Sequence, residues 1–193
     1  MTGILPGKGT LESFAGLLEY PCGGEAELAA KGSIALSGDF PDAASLLEGV
    51  SAFFAGTPLG RAEEIFTATF DLQAACAPYV GFHLFGEGYK RRVFLAGLSA
   101  LYSSRGFSAG GELPDHVAVV LRFLADSPGD AQARELLHDG LIPSLAKMTG
   151  KFVEPGNPYG DVLRALRMVL LPGRREDAAE APREQPETEA GQP

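Results

Sequence analysis

ELPDHVAVVLRFL, residues 112–124, is the segment that decides the fold. Its apolar residues recur at the spacing of one helical face, at Val117, Val120, Leu121 and Leu124. Pro114 suits the first helical position because it has no backbone N–H to leave unpaired. Asp115 would then lie in the first turn, where its charge complements the helix dipole. We therefore predict a helix that begins at Pro114 and packs its apolar face against other helices.

Similar apolar faces occur on both sides of this segment. They lie at 11–18, 42–54, 58–70, 93–102, 130–149 and 158–171. Gly86-Glu87-Gly88 interrupts the chain before the fourth of them, and Asn157 is placed to cap the last. No run alternates with a period of two for long enough to form a sheet. The sequence predicts an all-α, single-domain bundle of about six to eight helices.

The composition divides the chain into a body and a tail. Residues 173–193 are rich in Glu, Ala and Pro and hold almost nothing apolar beyond Ala. Such a segment cannot bury enough surface to offset the entropy lost on ordering. We predict a helical domain over 1–172 and a disordered acidic tail over 173–193.

Charge and cysteine usage exclude several classes of protein. The formal net charge of -9 argues against nucleic-acid binding, which needs clustered Lys and Arg. Cys22 and Cys76 are the two cysteines, with no CxxC pattern, so neither a zinc site nor a disulfide framework is expected. No apolar run reaches the roughly 18 residues needed to cross a bilayer, and Met1 to Gly9 holds no signal-peptide core. We expect a soluble, cytoplasmic protein without membrane insertion.

The sequence contains no strong catalytic motif. The sequence has no GxSxG, no GxxxxGK[ST] and no HExxH, and His83, His116 and His138 lie far apart in the chain. One enzymatic alternative stays open: a small hydrolase or transferase that uses Asp115 and His116 as an acid-base pair near Arg91 or Arg92. Adjacent residues on a helix point about 100° apart, which makes this pairing geometrically poor.

A binding function has more support. Aromatic residues concentrate around Pro78 and Gly86, and broken helices leave clefts that continuous helices do not. The same aromatic residues could also belong to the core, and Lys90-Arg91-Arg92 could be a solvated face. The alternative is an apolar groove that receives a partner segment as an amphipathic helix.

Two motifs occur in a fixed order: Thr69-Phe70-Asp71-Leu72, and then Glu112-Leu113-Pro114-Asp115-His116 followed by an apolar helix. In this order they resemble the nitrate reductase delta-subunit (NarJ) family of assembly chaperones, within the redox enzyme maturation class related to TorD and DmsD. The resemblance covers about 66–171, with a looser match at 17–21. It departs from the family at Gln73-Ala74-Ala75, where a more basic stretch is common, and at Pro78.

The resemblance implies an all-helical, cytoplasmic chaperone that catalyses no reaction. It implies binding to the N-terminal segment of the catalytic subunit of a molybdopterin oxidoreductase before cofactor insertion. The chaperone then needs no cofactor, because the molybdopterin guanine dinucleotide belongs to the client. Chaperones for selenate, chlorate, dimethyl sulfide and ethylbenzene enzymes look similar, so the identity of the client stays open.

From these observations we select candidate client-binding residues. They are Tyr79, Phe82, His83, Phe85, Tyr89, Arg91, Arg92, Glu112, Asp115 and His116. Glu112 to His116 could equally be no more than a helix start. If Pro114 begins the helix, Asp115 contributes only a dipole interaction, and His116 projects in another direction, free to meet a client group.

Overall fold

The computed structural model describes residues 6–73, 76–152 and 156–171. Ten α-helices lie in these ranges: α1 Lys8–Leu17, α2 Glu25–Leu36, α3 Pro41–Ala55, α4 Leu59–Phe66, α5 Val80–Phe85, α6 Tyr89–Ser104, α7 Val117–Asp126, α8 Ala131–Glu135, α9 Ile142–Thr149 and α10 Pro158–Leu170. A π-helical segment, Thr67–Asp71, continues α4, and a second, Leu136–Leu141, joins α8 to α9. These described ranges therefore hold nine uninterrupted helices. The all-α prediction is confirmed, with one helix more than the upper end of the predicted number.

The core lies where α1, α2, α3, α7 and α10 meet. α1 packs against α7 and α2, and α3 packs against α2 and α10. α7 is buried on nearly all sides, from Val117 to Ala125, which is typical of a central helix. Full burial of each large apolar side chain, such as Phe14 or Leu121, stabilises the fold by about 1.5–3 kcal/mol.

A cluster of aromatic rings joins α10 to α3, α4 and the first π segment. The ring of Tyr159 makes edge-to-face contacts with Phe54, Phe66 and Phe70, at centroid distances of 5.8, 5.5 and 5.0 Å. Such pairs contribute about 0.5–1.5 kcal/mol beyond the area they bury. Thr69 and Phe70 of the TFDL motif are both 2% exposed and are core residues.

The predicted helix boundaries at polar residues and glycines agree with the structure. Asp130 accepts hydrogen bonds from the amides of Gln132 and Ala133 at the start of α8. Asn157 accepts from the amide of Tyr159 at the start of α10, as predicted. Gly86 has a φ of +66°, a conformation that glycine adopts without strain, and it ends α5.

The predicted start of α7 is wrong. The helix begins at Val117, with His116 as its N-cap, and Pro114 and Asp115 lie in the preceding turn. The physical reason is pairing with a distant segment, because Tyr79 and His116 form an antiparallel β-bridge. That bridge holds the residue before α7 in an extended conformation, which helix-start rules do not anticipate.

Two further helices were absent from the sequence prediction. α2 is rich in Ala and Glu, and its outward side includes the exposed Ile34, so its periodicity is weak. α5 has six residues, too few for a periodic signal. The predicted boundary between body and tail, at 172 and 173, lies outside the described residues. No helix among the described residues is long and apolar enough to span a bilayer.

Candidate functional site

The short segment Pro114–His116 holds the helices α5 and α6 in place. The Asp115 carbonyl accepts a hydrogen bond of 2.8 Å from the amide of Val80, the first residue of α5. The Val117 amide donates to the Pro78 carbonyl, also at 2.8 Å, on the other side of the bridge. The backbone around Asp115 therefore fixes where α5 begins.

The Asp115 side chain fixes the start of α6. Arg91, in the first turn of α6, donates from Nε and a terminal nitrogen to the two carboxylate oxygens, at 2.9 and 3.2 Å. Asp115 is 0% exposed, and the Arg91 side chain is 15% exposed. Bidentate pairing of this kind sets both the distance and the orientation of the two groups. Asp115 thus anchors two helices, α5 through its backbone carbonyl and α6 through its carboxylate.

Gly81 allows α5 to lie close to Asp115 and to α6. A Cβ at this position would lie 2.7 Å from the Asp115 Oδ2 atom and 2.8 Å from a ring carbon of Phe94. Real Cβ atoms essentially never come so close to other heavy atoms. The glycine lets α5 pass against both the buried carboxylate and α6.

Tyr79 and His116 complete what we call the junction, the four residues Tyr79, Arg91, Asp115 and His116. The Arg91 guanidinium carbon lies 5.1 Å from the centre of the Tyr79 ring, within cation–π range. The Tyr79 and His116 rings meet edge to face at 5.3 Å. The junction is therefore a continuous set of contacts between α5, α6 and the start of α7.

His116 has a specific protonation requirement. Its Nδ1 atom accepts a hydrogen bond of 3.1 Å from the Ala118 amide, which requires a lone pair at that nitrogen. Burial lowers the pKa of His116, and the neighbouring Glu112, Glu19 and Asp115 oppose that effect only in part. The neutral imidazole is therefore the form that caps α7.

The C-terminal end of α6 is hydrogen-bonded to the same segment, Pro114–His116. The Tyr102 hydroxyl donates to the Pro114 carbonyl at 2.9 Å, and the Tyr102 ring packs on Phe107 and Phe123. Pro114–His116 consequently holds α6 near both ends.

An apolar cleft opens beside these two helices. Its volume is about 310 Å³, and we call it the α6 cleft. It is lined by Leu84 and Phe85 of α5, Phe94, Gly97, Leu98 and Leu101 of α6, Gln132 and Glu135 of α8, and Leu136, Asp139 and Gly140 of the second π segment. The α6 residues follow i, i+3, i+4, i+7 spacing, so they form one ridge along about two helical turns. The junction positions one wall of this cleft.

The second π segment forms the opposite wall of the cleft, and it also packs against α5. Ser144, on α9, lies with its hydroxyl 2.9 Å from the Gly140 carbonyl and 3.2 Å from the Val80 carbonyl. A Cβ at Gly140 would lie 3.5 Å from a methyl carbon of Val80. The first turn of α5 therefore contacts both the junction and the π segment, which sets the width of the cleft.

The charges at the cleft are acidic. Glu135 and Asp139 are the charged residues of its lining, and both are exposed. Neither makes an ion pair or side-chain hydrogen bond within the described part of the chain. Gln132 differs, because its side chain accepts a hydrogen bond from Arg105.

The predicted site residues fall into separate groups. Phe85 lines the α6 cleft, is 43% exposed and contacts Phe94 at a centroid distance of 5.4 Å. Phe82 and His83 are half-buried on α5, and His83 Nε2 lies 2.7 Å from the Ala77 carbonyl. Tyr79, Arg91, Asp115 and His116 form the junction, whereas Tyr89, Arg92 and Glu112 are exposed. The structure does not bring the ten residues into one groove.

Two expectations about this segment are wrong. Asp115 is not a solvent-facing residue in a first helical turn, because it is buried in the ion pair with Arg91. His116 is not free to meet a partner, since it is 5% exposed and caps α7. The same contacts do not suit an Asp115–His116 acid-base pair. The Asp115 carboxylate accepts hydrogen bonds from Arg91, and the His116 Nδ1 atom accepts one from the Ala118 amide.

Most of the cleft lining was missed by sequence reasoning. Phe94, Leu98 and Leu101 were interpreted as a core-facing stripe, and Glu135 and Asp139 carried no motif. Gly97 could have indicated the cleft from the sequence, because a glycine within a helix costs about 1 kcal/mol relative to alanine. A Cβ there would meet nothing within 4 Å, so packing inside the chain does not require the glycine.

No group of three or more His, Cys, Asp or Glu side chains suitable for a metal ion occurs among the residues that the structure describes. Cys22 is exposed and Cys76 is buried, and both are free thiols.

Comparison with known proteins gives a family and solved structures of similar fold. The family described as nitrate reductase delta subunit matches residues 38–154. That range includes α5, α6, α7, the junction and the α6 cleft. A crystal structure described as a redox enzyme maturation protein from Archaeoglobus fulgidus has a similar fold, with a TM-score of 0.58 and 22% identity. The similarity covers 84% of this chain and 93% of that one. No curated protein matches the sequence.

Proposed function

Because the chain belongs to the nitrate reductase delta subunit family, we propose that it binds the N-terminal segment of the catalytic subunit of a nitrate reductase-type molybdopterin oxidoreductase. As a member of this family it is a redox enzyme maturation chaperone and not an enzyme. The prediction that the chain catalyses no reaction is thereby confirmed. Binding of the segment would support insertion of the molybdenum cofactor before the client is assembled.

The α6 cleft carries this proposal. It is apolar along its floor, open at the surface, and bounded by walls that the junction holds in place. An amphipathic helix buries its apolar face in such a groove through residues at i, i+3, i+4 and i+7. The ridge formed by Phe94, Gly97, Leu98 and Leu101 has the matching spacing.

The shape of the cleft suits one face of a helix. The cleft is open at the surface, and its apolar ridge follows one stripe of α6. A helix with its side chains is about 10 Å across. The client helix would therefore insert its apolar side chains and leave its polar face in water.

In this account the molybdopterin guanine dinucleotide is cargo that belongs to the client, and the chaperone needs no cofactor of its own. The chain's own residues would act by holding the client segment while the catalytic subunit is still open. We place this activity in the cytoplasm, as the resemblance implies. Related enzymes that reduce selenate or chlorate or oxidise dimethyl sulfide or ethylbenzene are alternative clients.

Co-purification tests the proposal. The tagged chaperone would be expressed with the catalytic subunit of a nitrate reductase-type molybdopterin oxidoreductase from the same genome, with or without that subunit's N-terminal segment. We expect retention of the full-length subunit and loss of retention when the segment is removed. The molybdenum content of the subunit should fall when the chaperone is absent. Equal retention of both forms would contradict binding through the N-terminal segment.

A matched pair of variants assigns the binding to the cleft. Gly97→Arg would extend a long side chain from α6 into the cleft. Gly49→Arg would extend the same side chain from the exposed side of α3 into solvent. Both glycines lie inside helices, and a Cβ at either would meet nothing within 4 Å. Both variants should therefore fold. Gly97→Arg should reduce retention of the client at least tenfold, and Gly49→Arg should not.

A further inference from the structure

Glu135 and Asp139 lie at the edge of an apolar cleft and form no ion pair within residues 6–73, 76–152 and 156–171. They lie four residues apart on one continuous run, from the last residue of α8 into the second π segment, and both line the α6 cleft. No basic side chain belongs to the cleft lining. Charged groups at the rim of an apolar groove select partners of opposite charge and exclude partners of the same charge.

We propose that Glu135 and Asp139 determine specificity by pairing with two basic residues that flank the apolar face of the bound helix. This inference rests on the proposed function and concerns the same cleft. On a helix, residues four apart face the same side, so Lys or Arg at i and i+4 would meet both carboxylates. The client segment is thus an amphipathic helix that carries positive charge at the edge of its apolar face.

Other acidic residues do not share this arrangement. Asp115 is buried with Arg91, Asp130 pairs with Arg105, and Glu19 pairs with Arg122. Among the residues that the structure describes, Glu135 and Asp139 have no such partner. Their side chains are accessible without breaking an interaction of the folded protein.

Gly97, on the α6 wall of the cleft, supports pairing of a bound helix with Glu135 and Asp139 on the opposite wall. It lies on the ridge of α6 that faces the cleft, and the space above it is open. A guest helix can come nearest to α6 at a residue without a side chain, because nothing holds the two backbones apart. The closest approach at Gly97 would direct the edge of the guest helix toward Glu135 and Asp139.

Designed probe peptides test the charge preference. The first probe is a fluorescent, Ala-based helix with Leu at i, i+3, i+4 and i+7 and two Lys residues, four apart, beside that face. The second and third probes replace both Lys with Gln or with Glu. Dissociation constants would be measured by fluorescence anisotropy at 50 and 300 mM NaCl. We expect the Lys probe to bind most tightly, the Glu probe most weakly, and the Lys probe to weaken at high salt.

Variants of the chaperone assign that preference to the two carboxylates. Glu135→Gln and Asp139→Asn should each weaken binding of the Lys probe about two- to fivefold, as expected for partly exposed ion pairs. The double variant should bind the Lys and Gln probes equally and lose the salt dependence. Glu48→Gln with Asp39→Asn is the matched control, since both residues are exposed and the change in net charge is the same.

The outcomes separate this inference from the proposed function. If the wild type retains the catalytic subunit but the double variant keeps the preference for the Lys probe, the specificity role is overturned and the proposed function stands. If the wild type retains no catalytic subunit and binds no probe, both are overturned. A preference lost in the double variant and kept in the control supports the role of Glu135 and Asp139.

Discussion

Arg91 and Asp115 form a bidentate ion pair across 24 residues of chain, with nitrogen to oxygen distances of 2.9 and 3.2 Å. The pair joins the first turn of α6 to the segment before α7. Because Asp115 also presents its backbone carbonyl to α5, this one residue positions both helices of a cleft wall. Because Asp115 is buried, we expect it to hold the wall of the α6 cleft in place and not to contact a client segment.

Asp115→Asn should therefore destabilise the fold by about 1.5–3 kcal/mol, because the hydrogen bonds lost or weakened involve charged groups in a buried position. This exceeds the 0.3–1 kcal/mol expected of a dipole interaction at an exposed helix start. Urea unfolding measures the difference. Arg92→Gln is the control, since Arg92 is exposed beside Arg91, and it should change stability by less than about 0.5 kcal/mol. Equal effects of the two variants would refute the structural role of the pair.

Gly81→Ala should be strongly destabilising. The new methyl group would lie 2.7 Å from a carboxylate oxygen of Asp115 and 2.8 Å from Phe94, so α5 would have to move away from the junction. We expect a loss of about 1–3 kcal/mol, as for other overpacked sites. Gly49→Ala, in open space within α3, should instead raise stability by up to about 1 kcal/mol. Thermal unfolding of both variants checks the opposite signs, and stabilisation by Gly81→Ala would show that the contact is absent.

The fold stability should depend on the protonation of His116. Burial lowers the folded-state pKa of His116 below its unfolded value near 6.5. The unfolded chain then binds protons more readily, so the contribution to stability is present above pH 6.5 and is lost as the pH falls through the lower folded-state pKa. Burial lowers the pKa of His83 as well, so its contribution has the same sign. The free energy of unfolding should decrease between pH 7.5 and 5.5.

His116→Asn isolates that contribution. Asparagine can accept the Ala118 amide at the N-cap but does not titrate, so the variant should show a weaker pH dependence over the same range. His138→Gln is the matched control, because it replaces an exposed histidine and not one that caps a helix. Parallel curves for His116→Asn and the wild type would show that His116 does not contribute.

The sequence predicts helix class and most helix boundaries because these depend on local periodicity and capping. Asn157 and Asp130 illustrate this, since each caps the helix that directly follows it. The start of α7 could not be predicted in the same way, because the bridge between Tyr79 and His116 joins residues 37 positions apart. Pro114 and Asp115 satisfy every local rule for a helix start, yet a distant partner determines their conformation.

The cleft was harder to anticipate than the fold. Of the candidate client-binding residues, Phe85 lines the α6 cleft, whereas Tyr79 and Arg91 lie in the junction. Periodicity does not distinguish a stripe that faces the core from one that faces a cleft. Leu98 is buried and Leu101 only half-buried on the same ridge. Whether Glu135 and Asp139 face that ridge depends on the packing of α8 and the π segment, which no local pattern encodes.

Calorimetric titration of the folded chaperone with a peptide copied from the N-terminus of the catalytic subunit tests the central claim most directly. We expect binding at micromolar concentrations with a negative heat-capacity change, because apolar surface is buried in the α6 cleft. Gly97→Arg should abolish this binding, and Gly49→Arg should preserve it. Absence of binding at tens of micromolar protein, or equal affinity of the wild type and Gly97→Arg, would contradict the claim that the α6 cleft receives the client segment.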